Sequence, residues 1–264
     1  MTMAPAWLTE RPIAHRGLHD CGVGPLIENS PSAARAAIAL GCAIECDVQL
    51  SKDGEAIVFH DFTLERLTAH SGRVEAFTTK ELRSIRLKGG RGDAIATLPD
   101  FLSLIGGATP LVCEIKSRFD GDMRLAERVA ACADGYGGPI CIESFDPLVM
   151  AHLRHHQTAL SIDHVPLGMV AQADYDEADC EWSHLGAAEK HALSQFLHFE
   201  ETRPEFLSYS LRDLPNAVPH LCRAGIGMPV TIWTVRTEAD RATALRHGDQ
   251  IVFEGERVRP KQPV

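Results

Sequence analysis

Apolar positions along this chain fall on two length scales. Short runs recur at RPIAHRG (11–17), AIECDVQL (43–50), EAIVFHD (55–61), PLVCEIKS (110–117), PICIESF (139–145), LSIDHV (160–165), FLSYSL (206–211), PVTIWTV (229–235) and QIVFEG (250–255). They read as strands, bounded by turn-forming residues. Longer amphipathic segments lie between them. Ser30 and Pro31 form an N-cap and first-turn pair, SAARAAIAL propagates a helix, and Gly41 stands where a left-handed stop belongs. Further helices are expected at 79–86, 99–105, 120–133, 146–156, 185–199, 214–224 and 238–247. Strand–helix alternation of this kind predicts parallel βαβ units, and about eight of them fit a closed (β/α)8 barrel better than an open doubly wound sheet. No Pro/Gly/Ser-rich linker divides the chain, so one domain over residues 1–264 is expected. The polar, glycine-containing stretch at about 62–98 is expected to be an insertion over one face.

Several strands carry charge. Side chains alternate along a strand, so in IECDV Glu45 and Asp47 share one face while Ile44, Cys46 and Val48 share the other. In VCEIKS the same rule pairs Glu114 with Lys116. Near the C-terminal ends of parallel barrel strands such residues face the mouth, where active sites form. Three carboxylates converging there would not stay ionised unpaired. A divalent cation would resolve this, and all-oxygen ligands favour Mg²⁺ or Ca²⁺ over zinc. By spacing alone, strand-end charges paired with lysines and arginines explain the pattern equally well. His15 and His60 close two of the runs, followed by Arg16 and Asp61. A cation, a guanidinium, an ammonium and two imidazoles at one mouth describe a phosphate site with an acid and a base. A histidine at a strand end is also at home as a hydrogen-bonded structural residue.

Composition narrows the partners. In 264 residues, 45% hydrophobic and 23% charged content supports a packed core. The net charge of -10 gives no electrostatic footprint for nucleic acid or an anionic membrane surface. MTMAPAWLTERP shows no basic n-region followed by an apolar h-region, and no window approaches the roughly 18 apolar residues of a spanning helix, so no stable membrane insertion and a cytoplasmic location are expected. Eight cysteines without a CxxC pair read as buried, reduced thiols. His155 and His156 are helical neighbours about 100° apart, a poor metal pair. Asp163 and His164 close the run read as the fifth barrel strand and are candidates for the mouth. DYDEADCEW (174–182) reads as a solvated lid rather than a second ion site.

HRG (15–17), EN (28–29), ECDVQLSKDG (45–54), HD (60–61), EIK (114–116), SF (144–145) and WTV (233–235) occur in an order and spacing that resemble the glycerophosphodiester phosphodiesterase family, from about Ile13 to Phe253. The resemblance implies a TIM barrel with a small insertion after the His60 strand, hydrolysing glycerophosphodiesters to glycerol 3-phosphate and an alcohol. It implies that Glu45, Asp47 and Glu114 hold one divalent cation, Mg²⁺ or Ca²⁺, and that His15 and His60 are the acid/base pair. Arg16 would bind phosphate with Lys116 close by, Asn29 would support the His15 side, and Phe145 and Trp233 would wall the glycerol pocket. Two departures stand out: Ile27 precedes Glu28-Asn29 where members carry proline, and Glu254 follows Phe253 where members commonly show Thr-Asp. The expected route is attack by the glycerol 2-hydroxyl and opening of a cyclic phosphate by water, with direct attack by water at the cation as the alternative. The alternative is an enzyme that cleaves lysophospholipids or another phosphodiester by the same route; a lipid tail would call for apolar loops, whereas the insertion is polar. A non-catalytic phosphate-binding relative would have lost a catalytic residue type, and none of His15, Arg16, Glu45, Asp47, His60, Glu114 or Lys116 is missing.

Overall fold

Local signals set the helix ends. Ser30 Oγ accepts from Ala33 N at 3.1 Å, Pro31 fills the first turn, and Gly41 closes the helix Pro31–Leu40 with φ 72°. The computed structural model describes residues 4–20, 22, 24–176 and 182–255. Its strands are β1 (Ile13–Ala14), β2 (Ala43–Leu50), β3 (Ala56–Val58), β4 (Ala96–Thr97), β5 (Leu111–Ile115), β6 (Ile140–Ser144), β7 (Leu167–Ala171), β8 (Phe206–Ser210), β9 (Val230–Val235) and β10 (Gln250–Phe253). β1 pairs in parallel with both β2 and β10, closing a ring that runs through β5 to β9. Eight parallel strands with helices outside make a TIM barrel.

Two strand expectations change. Residues 160–165 form turns, and the strand is the next segment, β7. Ile162 and Val165 are buried, but Asp163 and His164 are exposed and precede β7, at the barrel end opposite the mouth. Asp163 accepts a hydrogen bond from Thr158 Oγ1 at 2.9 Å. The alternation that would have marked β7 is interrupted by Gly168, where the Phe206 ring lies 2.2 Å from the place of an ideal Cβ. The second change concerns the His60 strand. β3 runs antiparallel to β2, with Val48 opposite Val58, and β4 pairs antiparallel with β3. The strand leading to His60 thus belongs to the excursion between β2 and the helix Leu98–Ile105. The excursion is polar outside yet has its own core of Ile57, Phe59, Leu64, Val74, Leu82, Ile85, Leu87 and Ile95, which makes it a rigid wall beside the mouth.

Inside the barrel, the alternation separates an apolar floor from a charged upper layer. Ile13, Ala43, Val112, Cys141, Phe206 and Val252 pack together above Leu8 of the short helix Trp7–Glu10. Cys46, Cys113, Cys132, Cys141 and Cys222 are free and buried, Cys42 is buried, and Cys21 and Cys180 lie outside the described residues. Among the described residues no helix is long and apolar enough to cross a membrane.

Candidate active site

One floor higher, β2 turns Glu45 and Asp47 inward and β5 adds Glu114, whose Cα is the register partner of Asp47. An oxygen from each carboxylate lies within 4.8 Å of the others, and all three residues are buried. Lys116 Nζ sits 2.6 Å from Glu114 Oε1 and 3.0 Å from Asp47 Oδ1, and Arg16 Nε lies 3.2 Å from Asp47 Oδ2. Burial would raise the Asp47 carboxyl, but Lys116, His60 and Arg16 hold it well below the usual range. Glu45 goes the other way, pushed well up by burial and by the charges of Asp47 and Glu114. Glu45 Oε1 is buried with no hydrogen-bond partner. Three buried carboxylates facing one ammonium and one guanidinium leave negative charge uncompensated, and the all-oxygen donor set fits a hard divalent cation.

The turn after β1 is built around these groups. Arg16, Gly17 and Asn29 all have positive φ, at 55°, 77° and 57°. For Arg16 and Asn29 this left-handed geometry costs on the order of 1–3 kcal/mol each, offset by the contacts it makes possible. Arg16 N donates to Glu45 Oε2 at 2.8 Å, and Asn29 N donates to the Arg16 carbonyl at 2.8 Å. Asn29 Nδ2 donates to Asp47 Oδ2 at 2.8 Å, while its Oδ1 accepts from Asp47 N at 3.2 Å. Both ends of the Asn29 amide are therefore committed to Asp47, and it is 3% exposed, so it braces the carboxylate layer rather than the imidazole of His15.

Each histidine is gripped at Nδ1 by a carboxylate that is itself gripped by an arginine. His15 Nδ1 lies 2.5 Å from Glu254 Oε1, and Arg236 holds Glu254 Oε2 through Nε at 2.8 Å and Nη2 at 2.7 Å. His60 Nδ1 lies 2.7 Å from Asp61 Oδ1, and Arg66 holds Asp61 through Nε at 2.6 Å and Nη2 at 2.7 Å. A carboxylate on Nδ1 keeps a proton there, so that exchange with a substrate runs through Nε2. Burial lowers the His15 pKa to about 4, even though its hydrogen bond to Glu254 acts to raise it. Glu254 falls to about 2: burial would raise it, but the bond to His15 and the charges of His15 and Arg236 outweigh that.

These groups line one side of a cavity of about 540 Å³ at the strand C-termini, reached by His15, Arg16, Glu45, His60, Glu114 and Lys116. Aromatic rings form another side: Phe145 and Trp233 meet edge to face at 5.8 Å, and Trp182 packs 4.8 Å from Phe145. The predicted site residues thus come together, with Asp47 and Asn29 beneath the others. Sequence reading overlooked Glu143, Trp182, Glu28, Arg66 and Arg236 and left the role of Glu254 open. Glu143 had a signal, because the alternation in CIESF puts it on the same face as Phe145; it is buried beside Glu114, and burial followed by the Glu114 charge pushes it well up. Of the acidic stretch 174–182, residues 177–181 lie outside the described residues, Asp176 pairs with Lys190 at 2.7 Å, and Trp182 belongs to the cavity wall.

Residues 15–253 match the sequence model of the glycerophosphoryl diester phosphodiesterase family. A glycerophosphodiester phosphodiesterase of Caldanaerobacter subterraneus subsp. tengcongensis is 43% identical over 248 residues, covering 89% of this chain and 90% of that protein. Among solved structures, a phosphodiesterase of Oleispira antarctica in complex with the product sn-glycerol-3-phosphate aligns with a TM-score of 0.72 at 20% identity, over 92% of each chain. Glycerophosphodiester phosphodiesterase from Thermotoga maritima aligns with a TM-score of 0.67 at 22% identity, over 92% of this chain and 94% of that one. At such identities the structural likenesses speak for the fold alone. The sequence match spans the barrel from the first histidine to the last strand, and with the close relative it settles descent: the chain belongs to the glycerophosphoryl diester phosphodiesterase family.

Proposed function

We propose that this protein hydrolyses glycerophosphodiesters to glycerol 3-phosphate and the free alcohol, using a divalent cation held by Glu45, Asp47 and Glu114 and an acid/base pair formed by His15 and His60. The observation that carries this reading is the meeting, in one cavity, of Glu45, Glu114 and two imidazoles oriented through Nδ1, with Asp47 directly beneath, an oxygen of each of the three carboxylates lying within 4.8 Å of the others. The family, and the 43% identical relative that bears the name of this activity, support the choice of substrate.

When bound, the cation, Mg²⁺ or Ca²⁺, supplies charge neutralisation to the non-bridging phosphate oxygens. The Arg16 guanidinium and the Lys116 ammonium add fixed positive charge at the same mouth. His15 is neutral at physiological pH, because burial holds its pKa near 4, and so its Nε2 is fitted to take the proton of the glycerol 2-hydroxyl as that oxygen attacks phosphorus. His60 protonates the departing alcohol. Water then opens the cyclic phosphate with the two roles reversed, the proton returning through the same imidazoles. Phe145 and Trp233 pack against the carbon skeleton of the glycerol and keep bulk water from that face. A coupled assay of glycerol 3-phosphate release, run on glycerophosphodiesters with different alcohols in Mg²⁺, Ca²⁺ or EDTA, tests the reading. No release from any of them in either metal would overturn it.

A further inference from the structure

We propose that Arg66, a residue of the excursion outside the barrel, is a positioning residue that holds His60 and Arg16 in register with each other. Its guanidinium meets two carboxylates from different parts of the chain. Nε donates to Asp61 Oδ2 at 2.6 Å and Nη2 to Asp61 Oδ1 at 2.7 Å. Nη1 donates to Glu28 Oε2 at 2.6 Å, and the same Nη2 to Glu28 Oε1 at 2.7 Å. Both forks are bidentate, the geometry in which arginine fixes orientation as well as charge.

The far side of each carboxylate carries a functional group. Asp61 Oδ1 also takes His60 Nδ1 at 2.7 Å, and Glu28 Oε1 also takes Arg16 Nη1 at 2.8 Å. Arg16 continues to Asp47 Oδ2 at 3.2 Å. A continuous line of charge-assisted contacts therefore runs from His60 through Asp61, Arg66, Glu28 and Arg16 to Asp47. Glu28 arrives on the loop after β1, while Asp61 and Arg66 belong to the excursion. Since Asp61 and Glu28 share one nitrogen, removing Arg66 leaves two neighbouring carboxylates that repel, and each then swings away from the group it orients. Arg66 does not line the cavity, and its side chain is 46% exposed, so it acts through Asp61 and Glu28 rather than on the substrate. Exposed ion pairs add little to stability, which leaves orientation as the role this geometry serves.

The proposal rests on the reading of His60 as an acid/base group and of Arg16 as a phosphate ligand, and its test has arms that do not require turnover. R66A should fold with a melting temperature close to that of the parent. It should lower kcat and raise KM together, for a loss in kcat/KM of roughly 10–100-fold, the usual scale for residues that orient a functional group. D61N should reproduce mainly the loss in kcat, and E28Q mainly the rise in KM. In a D61N/E28Q background, R66A should then add less than about a threefold loss, because residues acting as one unit are not additive. R66K should recover only part of the loss, since an ammonium cannot fork to two carboxylates. Without turnover, titration calorimetry with inorganic phosphate should show weaker binding to R66A than to the parent, and nitrogen NMR should show the His60 Nδ1–H tautomer losing its dominance. An inactive parent protein would refute the functional reading while these two arms still judge Arg66. Parent-like kinetics in R66A, or unchanged phosphate affinity together with an unchanged His60 tautomer, would overturn the proposal.

Discussion

His15 Nδ1 and Glu254 Oε1 stand 2.5 Å apart across the seam where β10 closes onto β1. His15 N also donates to the Phe253 carbonyl at 3.0 Å, so backbone and side chain are tied to the same short segment. Glu254 is thereby placed to do for His15 what Asp61 does for His60, and its departure from the Thr-Asp of other members leaves a carboxylate in reach. E254Q keeps an acceptor but loses the charge. Its kcat should fall by roughly 10–100-fold. Glu254 acts to raise the His15 pKa, so the acid limb of the kcat/KM profile should move to lower pH in the variant. A pH–rate series reads both effects, and a profile superimposable on the parent's would remove Glu254 from the mechanism.

The same pair makes the metal-free fold acid-sensitive. The Glu254 pKa is depressed in the folded state, from 4.5 to about 2, so its contribution is present above pH 4.5 and is lost as pH falls towards 2. His15 is depressed from 6.5 to about 4, so the unfolded chain binds the extra proton in that window and stability also drops as pH falls from 6.5 to 4. Melting curves in EDTA should therefore decline continuously on acidification. In E254Q the part between pH 4.5 and 2 should flatten, a difference on the order of 1–3 kcal/mol. Parallel curves for parent and variant would contradict this.

His60 is assigned the proton delivered to the leaving alcohol, which makes its importance depend on the alcohol. H60A should lose roughly 10²–10⁴-fold in kcat on an ester of an ordinary alcohol. On a p-nitrophenyl ester, whose leaving group departs as a stable anion, the loss should be far smaller. H15A should be equally damaged on both, since the nucleophile needs its base either way. A substrate with 2-deoxyglycerol in place of glycerol should be turned over very slowly, and an undiminished rate would exclude the cyclic route.

How much of this was legible follows from the range of each signal. Glu45, Asp47 and Glu114 were readable because strand alternation is a two-residue rule that IECDV and VCEIKS obey, whereas Phe145 came only with the SF motif of the family resemblance. The helix Pro31–Leu40 was readable from its own cap and stop. β7 was not, because its inward position opposite Phe206 is a glycine, whose need is visible only once that ring is seen filling the space. The antiparallel course of β3 was hidden for a related reason: EAIVFHD looks the same whichever way its neighbour runs. Arg66 and Arg236 carried no local signal, and Glu28 stood in the EN motif without a role, since their meaning lies in contacts between loops far apart in sequence, such as the 38-residue gap between Arg66 and Glu28. Glu254 was noticed as a departure from a pattern, but only the closure of β10 onto β1 shows which residue it serves.

The strongest test of the carboxylate cluster separates stability from activity. In the metal-free protein Glu45 is forced upward by burial and by the charges of Asp47 and Glu114, so as an anion it works against the fold. E45Q removes that repulsion at nearly constant volume, and the metal-free variant should melt above the metal-free parent. Added Mg²⁺ or Ca²⁺ should raise the parent's melting temperature, by the equivalent of about 2.7 kcal/mol at a hundred times the dissociation constant. E45Q, lacking one anionic ligand, should show a much smaller metal-induced shift at the same concentration and require more metal for any activity. A destabilising structural mutation would instead lower the metal-free melting point and leave the metal response in place. If neither ion shifts the parent's melting curve and EDTA leaves its activity intact, the three carboxylates serve Arg16 and Lys116 alone, as strand-end charges with cationic partners.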